Sequence, residues 1–176
     1  MLNKNKWSEF RPRKYNQMFL NRLMTHQYFK DWLKDIDVKS GLEIGGGLAD
    51  HKDLFKKYHN IEINETIKNS WTTNEDYMKY KPKGKPDLIF SHAVIDHNPT
   101  PNEFILKSIK EAKKYVFHSI YRGLQRQSRF HLDPIIDKDN YLYNQLSEFE
   151  LKDLLKDYDY ILRTLQNKNV VLIVKC

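Results

Sequence analysis

Between Tyr15 and Asp37 the apolar residues Phe19, Leu23, Phe29, Leu33 and Ile36 recur three or four apart, or six apart where His26 interrupts the stripe. That spacing predicts one amphipathic helix ahead of the first strand. After Lys39 the pattern changes to short apolar runs alternating with helical segments. Strands are predicted at 41–45, 60–64, 87–92, 115–120, 160–165 and 170–175, with helices near 49–58, 102–113 and 148–157. Such alternation indicates an α/β fold built on a parallel sheet with crossover helices. Only Gln166–Asn169 separates the last two strands, too short for a parallel crossover, so the final strand must enter antiparallel through a hairpin. Two stretches are irregular: 79–86, with two prolines and a glycine, reads as a surface loop, and 122–143 follows a strand and so falls at the carboxyl edge of the sheet.

Composition narrows the classes. A chain of 176 residues with 40% hydrophobic residues suffices for one globular domain. No apolar run approaches the ~18 residues of a membrane span, and the first residues lack the apolar core of a secretory signal, so a soluble cytoplasmic protein is expected. The single cysteine is Cys176, which leaves no internal thiol for a disulfide framework, a thiolate zinc cage or a nucleophile. The net charge is +7, concentrated in residues 1–40 with nine basic and four acidic side chains. Because 23 of the 30 basic residues are lysine, a coding bias explains the charge as well as a polyanionic partner does, and nucleic acid is not favoured.

The sharpest local feature is Gly41-Leu42-Glu43-Ile44-Gly45-Gly46-Gly47-Leu48-Ala49-Asp50, a strand that runs straight into glycines. Glycines here allow positive φ and close approach of backbone to a ligand. A dinucleotide fingerprint aligned on Gly45 and Gly47 would need a small residue where Asp50 stands, and the Gly-Lys-Ser/Thr ending of a P-loop is missing. Phosphate binding is therefore disfavoured, leaving E-x-G-x-G-x-A with an acid two positions before the first glycine.

That pattern resembles the first motif of class I S-adenosylmethionine-dependent methyltransferases, and the resemblance extends over residues 40–176. Asn60-Ile61-Glu62-Ile63-Asn64 is similar to the family's second strand, and Asp87-Leu88-Ile89-Phe90-Ser91-His92-Ala93-Val94-Ile95-Asp96-His97 to its fourth-strand motif. The resemblance implies a Rossmann-like, doubly wound, mostly parallel sheet with an antiparallel C-terminal strand. Residues 1–39 would then be a helical lid or substrate wall. It also implies S-adenosylmethionine as cofactor, with Glu43 and Gly45, Gly46 and Gly47 around its methionine and ribose end. Glu62 would bind the ribose diol with Ile63 beside it, and Ser91, His92 and Ala93 would form the floor beneath the methyl donor. Only 22 residues separate Asn64 from Asp87, where the family places a helix, a strand and another helix, so the fold is shortened around its third strand. Ser70–Thr73 is the candidate remnant of that strand, and Asp76 the match for an adenine-contacting acid, with Asn74 or Glu75 serving equally.

Methyl transfer depends on alignment and exclusion of water, and a base is needed only if the nucleophile must lose a proton. His97 and His92 are the candidate bases; His97 equally suits a role in holding the loop, and His118 that of a packed strand residue. Tyr121, Arg122, Arg126 and His131 are the candidate acceptor-binding residues. Arg122, Arg126 and Arg129 cluster within eight residues and suit an anionic acceptor, although a solvated loop explains them equally. No metal site is expected, Asp96 alone being weak support. The absence of N/D-P-P-Y/F after the fourth strand disfavours nucleobase or glutamine amides, leaving an oxygen or nitrogen of a small molecule such as a sugar. An RNA methyltransferase using the basic N-terminus and a catalytically inactive scaffold subunit are the alternatives. Oligomeric state is not legible.

Overall fold

The structure is a computed structural model that describes residues 16–47, 50–121, 123–136 and 142–176, with side chains described from Leu23 onward. Arg122, Leu48, Ala49 and the basic residues of the first fifteen positions lie outside the described residues.

Helix α1 (Asn16–Lys34) precedes β1 (Ser40–Ile44), β2 (Lys57–Ile61), β3 (Thr72–Thr73) and β4 (Leu88–His92). Then follow α2 (Pro101–Glu111), β5 (Tyr115–Ile120), the hairpin β6 (Leu132–Ile136) and β7 (Leu142–Gln145), α3 (Glu148–Leu155), β8 (Asp159–Thr164) and β9 (Val170–Lys175). Seven strands form one sheet in the order β3-β2-β1-β4-β5-β9-β8. Pairings among β1 to β5 are parallel, and β9 enters antiparallel between β5 and β8, as the short connection required. The central strands are buried on both faces, which is why they read as unbroken apolar runs.

Each face of the sheet has its own core. Leu42, Ile44, Ile89 and Val116 meet Phe104, Ile105 and Ile109 of α2 and Leu151 and Leu155 of α3. On the other face Phe90, Phe117 and Ile173 meet Phe29 of α1, with Trp32 and Leu33 packed alongside. Phe29 is fully buried, with its ring stacked on Phe90 at 4.8 Å and edge-on to Phe117 at 4.7 Å. Residues of α1 are thus part of the core of the 40–176 unit. The expected stripe is rotated, however. Leu23 is exposed, while Thr25 is buried and accepts from Asn169 Nδ2 at 2.9 Å. His26 lies on the half-buried side of the helix.

Three expectations are corrected. The helix expected near 49–58 is a single 3-10 turn at Lys52–Leu54, after which Phe55 is extended and β2 begins at Lys57. Only twelve residues join Ile44 to Lys57, and His51 and Tyr58 at the two ends of this connection are both drawn onto Glu43. The second strand therefore ends at Ile61, and Glu62 to Asn64 curl past its tip. The irregular stretch 122–143 also contains β6 and β7's first residues; Pro134 is tolerated because this two-stranded sheet offers an open edge. Ser70–Thr73 does contain a third strand, reduced to Thr72 and Thr73.

Candidate active site

The carboxyl ends of β1, β2 and β4 converge on the glycine turn. Gly45 and Gly47 adopt φ of +68° and +56°, the left-handed region that a side chain disfavours. Gly45 donates its N–H to Ile61 O at 2.7 Å, which fastens the turn to the end of β2. Gly46 is required for packing: a Cβ there would fall 2.6 Å from Glu43 Cδ and 2.8 Å from Asn60 Oδ1. At Gly47 no described atom lies within 4 Å of the Cβ position, so that side of the turn is open.

The two acids of the motifs have different surroundings. Glu43 is 3% exposed; its Oε1 meets His51 Nδ1 at 2.8 Å, and its Oε2 accepts from the Tyr58 hydroxyl at 2.5 Å. Burial first, and then the Glu43 carboxylate, push the Tyr58 phenol well above its ordinary pKa, so it stays a donor. Glu43 is committed inward and holds the turn from beneath. Glu62 lies just past the tip of β2 and, among the described residues, accepts from backbone: Gly47 N–H at 3.0 Å to Oε2 and Asn64 N–H at 2.9 Å to Oε1. Ile63 beside it is 41% exposed. Asn74 ties this corner together by donating to Asn64 O at 2.8 Å and Ile67 O at 3.1 Å. Asp76 instead closes its own turn, its Oδ1 accepting from Met78 N–H at 2.9 Å.

At the end of β4 the alternation of the strand separates neighbours. Ser91 faces the α2 side and is buried, its hydroxyl 2.8 Å from His118 Nδ1. Burial holds the fully buried His118 down to about 3, in line with a packed strand residue. His92 points to the α1 face, with Nδ1 3.2 Å from Ser119 Oγ. Ala93 donates to Ser119 O at 3.0 Å with φ of +57°, a strained geometry for a residue with a Cβ. Asp96 is buried and accepts the Tyr121 N–H with both oxygens, at 3.1 and 3.0 Å, which fixes the end of β5 beside it.

His97 Nδ1 donates to Leu142 O at 2.7 Å, which places the ring's lone pair at Nε2, and its ring meets Tyr143 edge-on at 4.8 Å. Asn144 Nδ2 donates to Ile95 O at 2.7 Å and Asn98 O at 2.6 Å. The β6–β7 hairpin is therefore fastened to the loop after β4, with Ile135 and Ile136 exposed on it. Arg126 and Arg129 are exposed and paired with carboxylates of the α3 region, Glu148 and Asp153 respectively. His131 is packed between helices: Ser147 N–H donates to Nδ1 at 3.0 Å, leaving Nε2 to donate to Asn102 Oδ1 at 3.1 Å. Burial lowers its pKa while the Glu150 carboxylate pulls the other way. Of the acceptor-binding candidates in the described region, only Tyr121 lies at the edge beside His92 and Ala93, where they line a cavity of about 10 Å³.

This arrangement has counterparts of known structure. The fold matches magnesium protoporphyrin IX methyltransferase from Synechocystis PCC 6803 with bound S-adenosylmethionine, at TM-score 0.67 and 14% identity over 97% of this chain and 89% of that one. The chain has the class I methyltransferase fold. It is also similar to DesVI from Streptomyces venezuelae, at TM-score 0.66 and 9% identity over 91% and 95% of the two chains. A third match is the 1,6-didemethyltoxoflavin-N1-methyltransferase of Burkholderia thailandensis, solved with 1,6-didemethyltoxoflavin and S-adenosylhomocysteine, at TM-score 0.62 and 11% identity over 92% and 79%. No protein-family model matches the sequence, and a search of curated proteins finds no relative. The family resemblance in the sequence and the fold therefore agree at the level of architecture.

Sequence reasoning missed His26, His51 and Tyr58, which the fold brings against Glu43 or His92. His26 registers in the sequence only as a break in the helical stripe. His51 carries no spacing signal at all, because its partners lie on other elements.

Proposed function

We propose that the chain is an S-adenosylmethionine-dependent methyltransferase acting on an oxygen or nitrogen of a small molecule. One observation carries the reading. The Glu62 carboxylate stands at the tip of β2, holding the Gly47 N–H, beside a turn whose outer side is open. The residues present fit such a cofactor: a carboxylate accepts a ribose diol, the exposed Ile63 suits the face of a flat ring, and the motif offers no phosphate nest. Bound there, the cofactor supplies an electrophilic methyl group on a sulfonium.

The chain's own residues divide the remaining work. Glu43 acts through His51 and Tyr58 to fix the glycine turn and does not contact the cofactor. Asn74 holds the adenine-side corner in place of Asp76. Ala93 and Tyr121 border the acceptor side, and α1 with the β6–β7 hairpin walls it from water. His97, protonated at Nδ1, has the tautomer a general base requires and is the preferred base over His92. Because Arg126 and Arg129 are engaged by Glu148 and Asp153, the acceptor need not be anionic.

A second reading, a methyltransferase-like scaffold without catalysis, is favoured by the two-residue β3 and the lack of a described helix between β2 and β4. Calorimetry of the full chain with S-adenosylmethionine tests the leading reading. Binding at or below high micromolar concentration is expected, and its absence overturns the proposal. Binding without turnover on an acceptor library selects the scaffold.

A further inference from the structure

Three imidazoles from three separate elements meet at the carboxyl edge of β1 and β4. His26 comes from α1, His51 from the turn before the 3-10 segment, and His92 is the last residue of β4. One ring nitrogen of each lies within 4.8 Å of the others, and the ring centroids are 4.5 to 4.9 Å apart. Phe29 packs edge-on to both His51 and His92, at 5.3 and 5.2 Å, so the cluster is set in an aromatic wall.

Hydrogen bonding orients the rings as metal ligands are oriented. Glu43 Oε1 accepts from His51 Nδ1, which leaves the lone pair on Nε2. That Nε2 is buried in a residue 2% exposed and has no hydrogen-bond partner among the described residues. A carboxylate behind a histidine, itself fixed by Tyr58, is the arrangement that sets tautomer and raises basicity in histidine metal sites. His92 is anchored in the same sense, Nδ1 against Ser119 Oγ at 3.2 Å. A cavity of about 10 Å³ adjoins His26 and His92, bordered by Thr25, Ser119 and Tyr121, and offers about one water-sized position.

We propose that His26, His51 and His92 form a site for a divalent transition metal of the zinc class, with a water in the fourth position. Three neutral nitrogen ligands suit zinc, cobalt or nickel and do not suit magnesium or calcium, which take oxygen. A tetrahedral zinc places its ligand nitrogens roughly 3.3 Å apart, from Zn–N bonds of about 2.0–2.1 Å. Binding therefore draws the rings together and fastens α1 to the sheet edge through His26. A set drawn from a helix, a turn and a strand end has no spacing signature, so nothing along the chain announces a metal.

The proposal stands apart from cofactor binding, so it is tested on the full, tag-free chain without S-adenosylmethionine. After dialysis against a chelator, titration with Zn²⁺ by calorimetry and with Co²⁺ by visible absorption should give one equivalent, the intense bands of tetrahedral Co²⁺, and a raised Tm. His26→Gln should weaken binding roughly 100-fold or more, and Glu43→Gln about 10–100-fold through the lost ring orientation. His51→Gln should match His26→Gln; if it does not fold, His26→Gln, which changes a half-buried residue, decides. Absence of a stoichiometric Co²⁺ spectrum, or unchanged affinity in His26→Gln with its metal-free Tm intact, overturns the site and leaves a packed imidazole stack.

Discussion

Glu43 and Glu62 lie near the carboxyl ends of neighbouring strands, one before the end of β1 and one just past the end of β2, yet their carboxylates serve opposite ends of the same turn. Glu43 is held by two side chains, His51 and Tyr58, and is 3% exposed. Glu62, itself only 7% exposed, is held by two backbone N–H groups just past the strand end, one of them from Gly47. A carboxylate saturated by two buried side chains is a framework element, whereas one satisfied by backbone N–H groups at a strand end can exchange or add a ligand's hydroxyl donors. The contrast separates stability from binding at one turn, and substitutions can test it.

The largest stability effect is expected at Glu43. Glu43→Ala strands the His51 and Tyr58 donors in a buried setting and should cost about 3–5 kcal/mol in urea unfolding, in line with loss of one partner of a buried network. Equal stability in the variant would remove Glu43 from the framework. Next come the glycines. Gly46→Ala forces a Cβ into Glu43 and Asn60 and should cost ~1–3 kcal/mol by overpacking. Gly47→Ala meets no described atom but sits at φ +56°, so about 1–2 kcal/mol is expected from backbone strain alone.

At the opposite edge of the sheet Asp87 supplies a pH test. Burial raises its pKa, but the Lys39 and Ser40 N–H groups, at 2.8 and 3.2 Å, together with Lys114 and the Ser40 hydroxyl, outweigh it and leave the carboxyl lowered. A folded pKa below the unfolded value of about 3.9 means the stabilisation is complete above that value and is lost as pH falls through the folded one. The stability gap between the parent and Asp87→Asn should thus be flat above about pH 5 and narrow progressively below about pH 4. A gap that widens on acidification would contradict the sign. The smallest effect belongs to Arg126→Ala, which removes an ion pair whose arginine is 71% exposed and should change stability by less than ~1 kcal/mol.

The same contrast explains what the sequence disclosed. Strands β4, β5 and β9 are buried on both faces, so their apolar runs announce them, and the short connection before β9 dictates its direction. Strand β2 begins with Lys57, Tyr58 and His59, residues that carry no apolar alternation, and was therefore displaced toward 60–64. Its true register is set by tertiary partners, with Ser40 opposite Lys57 and Ile44 opposite Ile61. At the site, the glycine turn was legible because a strand running into glycines is a local pattern that survives in sequence. The roles of Ser91, Arg126 and His131 were not, since each depends on a neighbour from a distant element: His118, Glu148 and Asn102. The histidine cluster is the extreme case, its members lying 25 and 41 positions apart along the chain.

Glu62 is the acid proposed to bind the cofactor, while Glu43 supports the turn. Calorimetry with S-adenosylhomocysteine on the parent chain and on Glu62→Ala, both checked for an intact unfolding transition, tests it most directly. The expected result is micromolar binding to the parent and a loss of at least about tenfold in Glu62→Ala, the size expected when a charge-assisted hydrogen bond is removed. No binding by the parent, or equal affinity in a folded Glu62→Ala, would contradict it.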